Sequence, residues 1–313
     1  MASPWDRDQL ETFASVVAHQ SFERAATAMN LTRGAVSQRI RALEESMAAV
    51  LLVRERPVLP TAAGEVLLRH VQALRLLEEA TLQRLAPAQA AGRPVPLAVA
   101  VSADSLATWF GGALTALLAH PRIALELVID DQDHTFGRLT RGEVVGCVST
   151  AARPMTGFSA EPLGRMAYRC VAHPAFARRH FGGGLVPAAL LSAPALMFDR
   201  RDTLQADFFR QLLGFVPELP VCHYVPSPQA LLALIAQGFG FGLVPAMQAA
   251  PLLQAGTLVD LAPGRGIGVP LYWHRWQAEP ELAAQVTALV LAQAARALEP
   301  LAPVPGRAAP PPG

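Results

Sequence analysis

The segment LTRGAVSQRIRALEES, residues 31–46, concentrates hydrogen-bonding side chains in a chain that is otherwise apolar and nearly neutral. On a helix that starts after Thr32, a natural N-cap, Val36, Ile40 and Leu43 fall on one face at helical spacing. The opposite face then carries Arg33, Gly34, Ser37, Gln38 and Arg41. Arginine can bridge a guanine edge, glutamine an adenine edge and serine either a base or a phosphate, and a face this narrow fits the major groove of duplex DNA. Gly34 and Ser37 are small enough to let the helix backbone come close. The same polarity also suits the wet side of an ordinary surface helix, because helix-turn-helix patterns are short and degenerate.

A second group of candidates follows runs that read as β-strands. After LAVAV (97–101), Ser102 or Asp104 ends a loop, and Ser105 and Thr108 lie on the first turns of a helix whose free N–H groups favour a carboxylate. Ser149-Thr150 follows VVGCV and Ser227 follows CHYVP, so hydroxyls stand at strand ends in a pattern that suits an anion. Each hydroxyl taken singly also suits a helix cap. Asp130, Asp131 and Asp133 follow IALELVI, and Asp199 and Asp202 follow ALMF, where a cationic group could be paired. A zwitterion with an extra positive charge would use both sets. The plainer alternative makes the acids caps and loop residues balanced by Arg138, Arg200 and Arg201. Trp109, Trp273 and His274 read as cleft lining or, more simply, as core. Metal-ligand spacing, a G-x-S-x-G elbow and a glycine-rich phosphate loop are all missing, since GFGFG at 238–242 runs into a strand. Neither catalysis nor a cofactor or metal is expected.

These residues must be positioned by more than one domain, because 313 residues exceed one comfortable hydrophobic core. With 52% hydrophobic and 16% charged residues the chain reads as a soluble globular protein. A formal charge of +1, with every basic residue an arginine, means that any nucleic-acid surface must be local. Cys147, Cys170 and Cys222 are odd in number and far apart, which suits a reducing cytoplasm. The amino terminus lacks a secretory apolar core, and the uncharged run Phe181–Phe198 is interrupted by glycine and proline, so neither signal nor membrane span is expected. Helical spacing recurs three times between Asp6 and Met47, with caps at Ser21 and Thr32. A hairpin-like LLVRERPVLPT follows, then a long helix from Ala62. Its stripe of Val66, Leu67, Val71, Leu74, Leu77 and Leu82 calls for a partner helix in preference to packing inside one subunit. Beyond a Pro/Gly/Ala hinge at 87–96, strand and helix alternate as in a parallel α/β sheet, and the tail EPLAPVPGRAAPPPG has nothing to bury.

The amino-terminal segment strongly resembles the winged helix-turn-helix of the LysR-type transcriptional regulators. The matching residues are Phe22, Ala25, Ala26, Ala35, Val36, Ser37, Ile40, Leu43, Glu44, Leu51, Arg54, Thr61 and Gly64. The resemblance implies an α+β multidomain chain: a winged helix-turn-helix over 1–61, a dimerising linker helix over 62–87 and a two-lobed effector domain over 88–300 like a periplasmic binding protein. Lobe I would take 93–163 and 266–300, lobe II 164–265, and the Pro-rich tail 301–313 would be disordered. It also makes Arg54 and Arg56 wing residues that touch phosphate or the minor groove. AVSADSLATWF, RLTRGEVVGCVST, CHYVPSPQALLALIAQG and LYWHRW further resemble the ArgP/LysG branch of that family, whose members sense lysine, arginine or related amino acids and control their export or synthesis genes. The partners so implied are double-stranded DNA, a small-molecule effector, RNA polymerase and further copies of the chain in a homodimer or homotetramer, with no membrane partner. On this footing Thr32, Arg33, Gly34, Ser37, Gln38, Arg41, Arg54 and Arg56 face DNA. Ser102, Asp104, Ser105, Thr108, Asp131, Ser149, Asp199 and Ser227 face the effector. The rival expectations are another small anionic effector, a transporter's solute-binding protein and an enzyme on the same scaffold.

Overall fold

A computed structural model describes residues 5–85, 94–129 and 132–301. Helices α1 (Arg7–His19), α2 (Phe22–Ala28) and α3 (Arg33–Met47) form where the periodicity places them. The side chains of Asp6, Ser21 and Thr32 each accept a hydrogen bond from a backbone N–H of the first turn they precede, which gives an acceptor to donors that the helix leaves unpaired. Leu10, Phe13 and Val16 of α1, Ala25 and Ala26 of α2 and the Val36, Ile40, Leu43 face of α3 close into one small core. Strands β1 (Leu52–Val53) and β2 (Leu59–Pro60) pair antiparallel beside it as a short wing.

The wing is fastened by the Thr-x-x-Gly element. Thr61 Oγ1 donates to the Val50 carbonyl at 2.7 Å and accepts from the Gly64 amide at 3.1 Å. A Cβ on Gly64 would stand 2.1 Å from the Leu51 carbonyl oxygen, so only glycine lets the next helix approach this closely. Gly64→Ala is therefore expected to cost about 1–3 kcal/mol, as overpacking against backbone does. Urea unfolding followed by intrinsic tryptophan fluorescence and far-UV circular dichroism checks this, and an unshifted midpoint would mean that the wing and helix are not in contact.

That next helix, α4 (Ala62–Leu85), is about 36 Å long at 1.5 Å per residue. Of the expected inter-subunit stripe, Leu67, Val71 and Leu74 instead pack inside the chain. Leu67 and Val71 are buried, with Leu68, in the core of the amino-terminal unit, and Leu74 packs against it, because α4 lays this side on α1. Leu76 is buried instead in the core of the larger domain. Among the described residues the large apolar side chains of α4 left exposed are Val66, Leu77, Leu82 and Leu85.

The larger domain begins with β3 (Val95–Val101), α5 (Ala103–Ala107), α6 (Phe110–Leu118), β4 (Ile123–Ile129), α7 (Gln132–Thr140) and β5 (Gly146–Ser149). It continues through β6 (Phe158–Ala172), α8 (Pro174–His180), α9 (Pro187–Leu190), β7 (Ala195–Met197), α10 (Leu204–Leu213), β8 (Cys222–Tyr224) and α11 (Pro228–Ala236). The last elements are β9 (Phe241–Pro245), α12 (Ala246–Gln254), β10 (Val259–Asp260), β11 (Ile267–Trp276) and α13 (Glu281–Ala297). The strands lie in the order β4-β3-β5-β11-β6-β9-β7-β8, with β10 beside β6. Parallel pairs at each end flank two long central strands, β6 and β11, which run antiparallel to each other with Ile267 opposite Tyr168 and Trp276 opposite Phe158. These two carry the chain between a first lobe (β3–β5) and a second (β7–β9).

Trp109, Trp273 and His274 are core residues, each almost wholly buried. The Trp273 indole donates to Thr287 Oγ1 at 2.9 Å, and its ring lies against Gly146, where a Cβ would come within 2.1 Å. The Phe181–Phe198 run becomes a turn, α9 and β7. Among the described residues no helix is long and apolar enough to cross a membrane. Most of the 87–96 hinge and nearly all of the 301–313 tail lie outside the described residues.

Candidate nucleic-acid interface and effector cleft

The polar face of α3 stands clear of the protein. Thr32, Arg33, Gly34, Gln38 and Arg41 are exposed and Ser37 half-exposed, while Val36, Ile40 and Leu43 show no exposure. Thr32 Oγ1 caps the helix, accepting from the Ala35 amide at 3.1 Å. Arg33 reaches Glu23 at 3.1 Å, but both side chains are more than half exposed, so the pair holds the guanidinium only loosely. A Cβ on Gly34 would meet only Thr32 Oγ1, at 3.8 Å, so internal packing does not require glycine there. Arg39 turns the other way, to Asp8 at 2.8 Å and Thr12 at 3.3 Å, and clamps α3 to α1.

Glu44 fixes the wing to this helix. Its Oε1 accepts from the Leu51 amide at 2.9 Å and its Oε2 from Arg54 at 2.7 Å, so Arg54 projects from a tethered position beside the exposed Arg56. Glu44 matched the sequence pattern without a role. Its role is visible only in three dimensions, as the acceptor that sets the wing's distance from α3.

The second site is a cavity of about 690 Å³ at the carboxyl ends of β3, β5 and β7, where open α/β sheets take ligands. The first lobe supplies Ser102, Asp104, Ile129 and Thr150, and the crossover strands supply Tyr168 and Ile267–Pro270. The second lobe adds Phe198, Asp199, Arg201, Asp202, Thr203 and Asp207. Among the described residues four carboxylates and one guanidinium thus line one space, an arrangement that attracts a cation and still leaves one positive group for an anion.

Asp104 Oδ2 accepts from the Tyr168 hydroxyl at 2.7 Å, joining the first lobe to a crossover strand. Burial raises the Asp104 carboxyl above the ordinary aspartate range; the Tyr168 hydrogen bond pulls it back and the charge of Asp202, across the cleft, pushes it further up. Burial and the same two acids push the Tyr168 phenol well above its usual value. Asp199 Oδ1 accepts from the amides of Arg201 and Asp202 at 2.7 and 2.8 Å, a turn that aims both residues into the cavity. Arg200 instead lies 4.4 Å over the Tyr224 ring.

Of the residues expected to face an effector, Ser102, Asp104 and Asp199 line the cavity. Ser105, Thr108, Ser149 and Ser227 are not part of its lining. Ser105 is fully buried and accepts from the Ser102 hydroxyl at 3.0 Å; Thr108 Oγ1 donates to the Asp104 carbonyl at 2.6 Å. Ser149 Oγ accepts from the Ala151 amide at 3.2 Å, and Ser227 caps α11 through the Ala230 amide at 3.3 Å. Asp131 lies outside the described residues. Of the Ser149-Thr150 pair at the end of β5 it is Thr150 that lines the cavity, and Tyr168 enters it from the crossover strand β6.

Residues 7–65 match the bacterial regulatory helix-turn-helix proteins of the lysR family, and residues 88–295 match the LysR substrate binding domain. The HTH-type transcriptional regulator ArgP of Pseudomonas aeruginosa (strain UCBPP-PA14) is 44% identical over 294 residues, covering 93% of this chain and 96% of that protein. The crystal structure of ArgP from Mycobacterium tuberculosis superposes with a TM-score of 0.84 at 35% identity, covering 95% of this chain and all of that one. Full-length LysG from Corynebacterium glutamicum with bound effector Arg superposes with a TM-score of 0.79 at 33% identity, again over 95% of this chain and 100% of the other.

Proposed function

The chain belongs to the LysR family of bacterial helix-turn-helix transcriptional regulators, and from that membership we propose that it reads duplex DNA through α3 and the wing and responds to a basic amino acid held in the cleft. The observation that carries the ligand class is the set of four carboxylates around one 690 Å³ cavity, with Arg201 and the Ser102 and Thr150 hydroxyls among its walls. Lysine and arginine are net cations that also bear a carboxylate. Their side-chain charge answers Asp104 and Asp202, while Arg201 and the hydroxyls answer the carboxylate. The arginine bound to the corynebacterial LysG supports the same class.

In this account Thr32, Arg33, Gly34, Ser37, Gln38 and Arg41 contact bases or adjacent phosphates, and Arg54 and Arg56 contact the flanking backbone. Residues up to 61 form the reading head, α4 the linker, and residues 88–300 the sensor. The exposed Val66, Leu77, Leu82 and Leu85 pair α4 with a second copy in a homodimer that a homotetramer extends. RNA polymerase is a further partner on family grounds, the setting is the cytoplasm, and the controlled genes export or make basic amino acids.

Isothermal titration of the full chain with L-arginine, L-lysine and L-citrulline tests the ligand class. Citrulline keeps the length of arginine and loses only its charge, so it is expected to bind about 10- to 100-fold more weakly, the cost of an uncompensated charged acceptor. Equal binding of citrulline, or binding of a simple dicarboxylate in place of arginine, would overturn the assignment.

A further inference from the structure

The linker helix is docked on the sensor domain of its own chain. Leu67, Leu68 and Val71 are buried in the reading head, and Leu76, between one and two turns further on, is buried in the sensor core. One continuous helix therefore belongs to both hydrophobic cores, and Arg69 lies on it. The Arg69 guanidinium donates to the carbonyl of Thr140, the last residue of α7, where helix carbonyls lack internal partners and favour a cation. The same guanidinium lies 5.2 Å over the ring of Phe158. Gly142, at φ +71°, brings the backbone against Arg69; a Cβ there would lie 3.1 Å from the Arg69 amide nitrogen.

What makes this contact more than a buttress is what lies on the far side of it. Helix α7 starts three residues after Ile129, which lines the cavity, and ends at Thr140 under Arg69. Midway along α7, Phe136 packs against Phe158 at 6.3 Å between ring centroids and edge-on against His274 at 4.8 Å. His274 Nε2 in turn meets the Ala151 carbonyl at 2.7 Å, next to the cavity-lining Thr150. Both ends of this packed path are thus occupied, one by the ligand cavity and the other by the helix that carries the reading head. A short helix moves as a rigid body, and close-packed aromatic contacts shift between discrete arrangements and do not deform smoothly.

We infer that Arg69 is the positioning residue that ties the orientation of the reading head to the state of the cleft, through Thr140 and Phe158 and the α7 helix behind them. The inference rests on the assignment of a basic amino acid to the cavity. Neither Arg69 nor Phe158 lines that cavity, so changing them leaves its walls in place.

Hydrogen–deuterium exchange of the full-length protein, with and without L-arginine, tests it on wild type, Arg69→Ala and Phe158→Leu. In wild type, arginine is expected to slow exchange both in the cavity segments 102–104 and 199–204 and in the linker segment 62–76. In each variant the cavity segments still respond, while the response of 62–76 falls by about 2- to 30-fold, the range over which single changes in a coupling network act. Phe158→Leu keeps the arginine and removes the ring that carries it and packs on Phe136, so it breaks the same path and decides the matter if Arg69→Ala does not fold. If arginine leaves the cavity segments of wild type unchanged, the ligand assignment fails and takes this inference with it. If those segments respond and 62–76 responds equally in wild type and folded variants, or is unresponsive in wild type, the Arg69 connection alone is overturned.

Discussion

Changing Arg33, Gln38 and Arg41 together to alanine is expected to abolish operator binding and leave the fold intact. All three side chains are exposed, so their removal touches no core packing, and the one ion pair removed, Arg33 with Glu23, is solvent-screened on both sides. Each good base contact discriminates by about 1–3 kcal/mol, so Gln38 and Arg41 alone account for about 2–6 kcal/mol, or roughly 30-fold to more than 10⁴-fold in affinity. Arg33 adds an electrostatic share. The triple variant should therefore also flatten the dependence of affinity on salt, by about 0.9 in the log–log slope for each phosphate that it no longer neutralises. Fluorescence anisotropy on a duplex enriched from a random library by the wild-type protein, repeated at several salt concentrations, measures both quantities. Wild-type affinity in the triple variant would place the DNA contact on another surface.

The second large effect lies in the cleft. Asp104→Asn and Asp202→Asn each remove a charge that faces the proposed cation, and each is expected to weaken L-arginine binding by about 10- to 100-fold, since a hydrogen bond to a charged group contributes about 1.5–3 kcal/mol. For Asp104 a pH signature separates this from general damage. Its carboxyl is held above the ordinary range by burial and by Asp202, so it takes up a proton at a pH where an exposed aspartate is still charged. On the proposed reading, arginine pairs with the anion. Its affinity should thus fall as the pH drops through this raised value, earlier than an ordinary carboxylate would require.

Stability without ligand runs the other way. A carboxyl whose pKa is higher folded than unfolded binds its proton more tightly in the native state, so its contribution is present at low pH and is lost as the pH rises through the folded value. An asparagine in place of Asp104 can still accept from the Tyr168 hydroxyl without the buried charge. Asp104→Asn should therefore keep or raise the melting temperature of the free protein while losing both arginine affinity and its acid dependence. A fall in melting temperature together with unchanged arginine binding would assign Asp104 a purely structural role.

The reading head was legible because its signals are local. Val36, Ile40 and Leu43 against Arg33, Gln38 and Arg41 is a pattern contained in one helix, and Thr61 with Gly64 is a contact between neighbours in sequence. The linker stripe misled for a related reason. Periodicity shows that Leu67 and Val71 share a face, but which core covers that face depends on how α4 meets α1. In the cleft, Ser102, Asp104 and Asp199 could be picked out as residues just beyond strands. Ser105, Thr108, Ser149 and Ser227 carry the same signal, yet their hydroxyls are engaged with backbone or with another serine, and a sequence does not distinguish a cap from a ligand contact. Tyr168 and Ile267–Pro270 were hidden because they reach the cavity only through the pairing of β6 with β11, between segments far apart in the chain. The proline and glycine of AEPLGRMA also hide the fact that one strand, β6, runs unbroken over Phe158–Ala172.

The central claim joins the two sites: a cation in the cleft changes how the reading head holds DNA. A ligand does this only by binding two states of the protein unequally, so the change must appear in the DNA complex itself. The most direct measurement is the affinity and bend angle of the full-length protein on its selected duplex, by anisotropy and phased gel mobility, with saturating L-arginine, with L-citrulline and with neither. Arginine is expected to alter affinity, bend or both by a factor that citrulline at the same concentration does not approach. Identical affinity and bend in all three conditions, at arginine concentrations that calorimetry shows to fill the cleft, would contradict it.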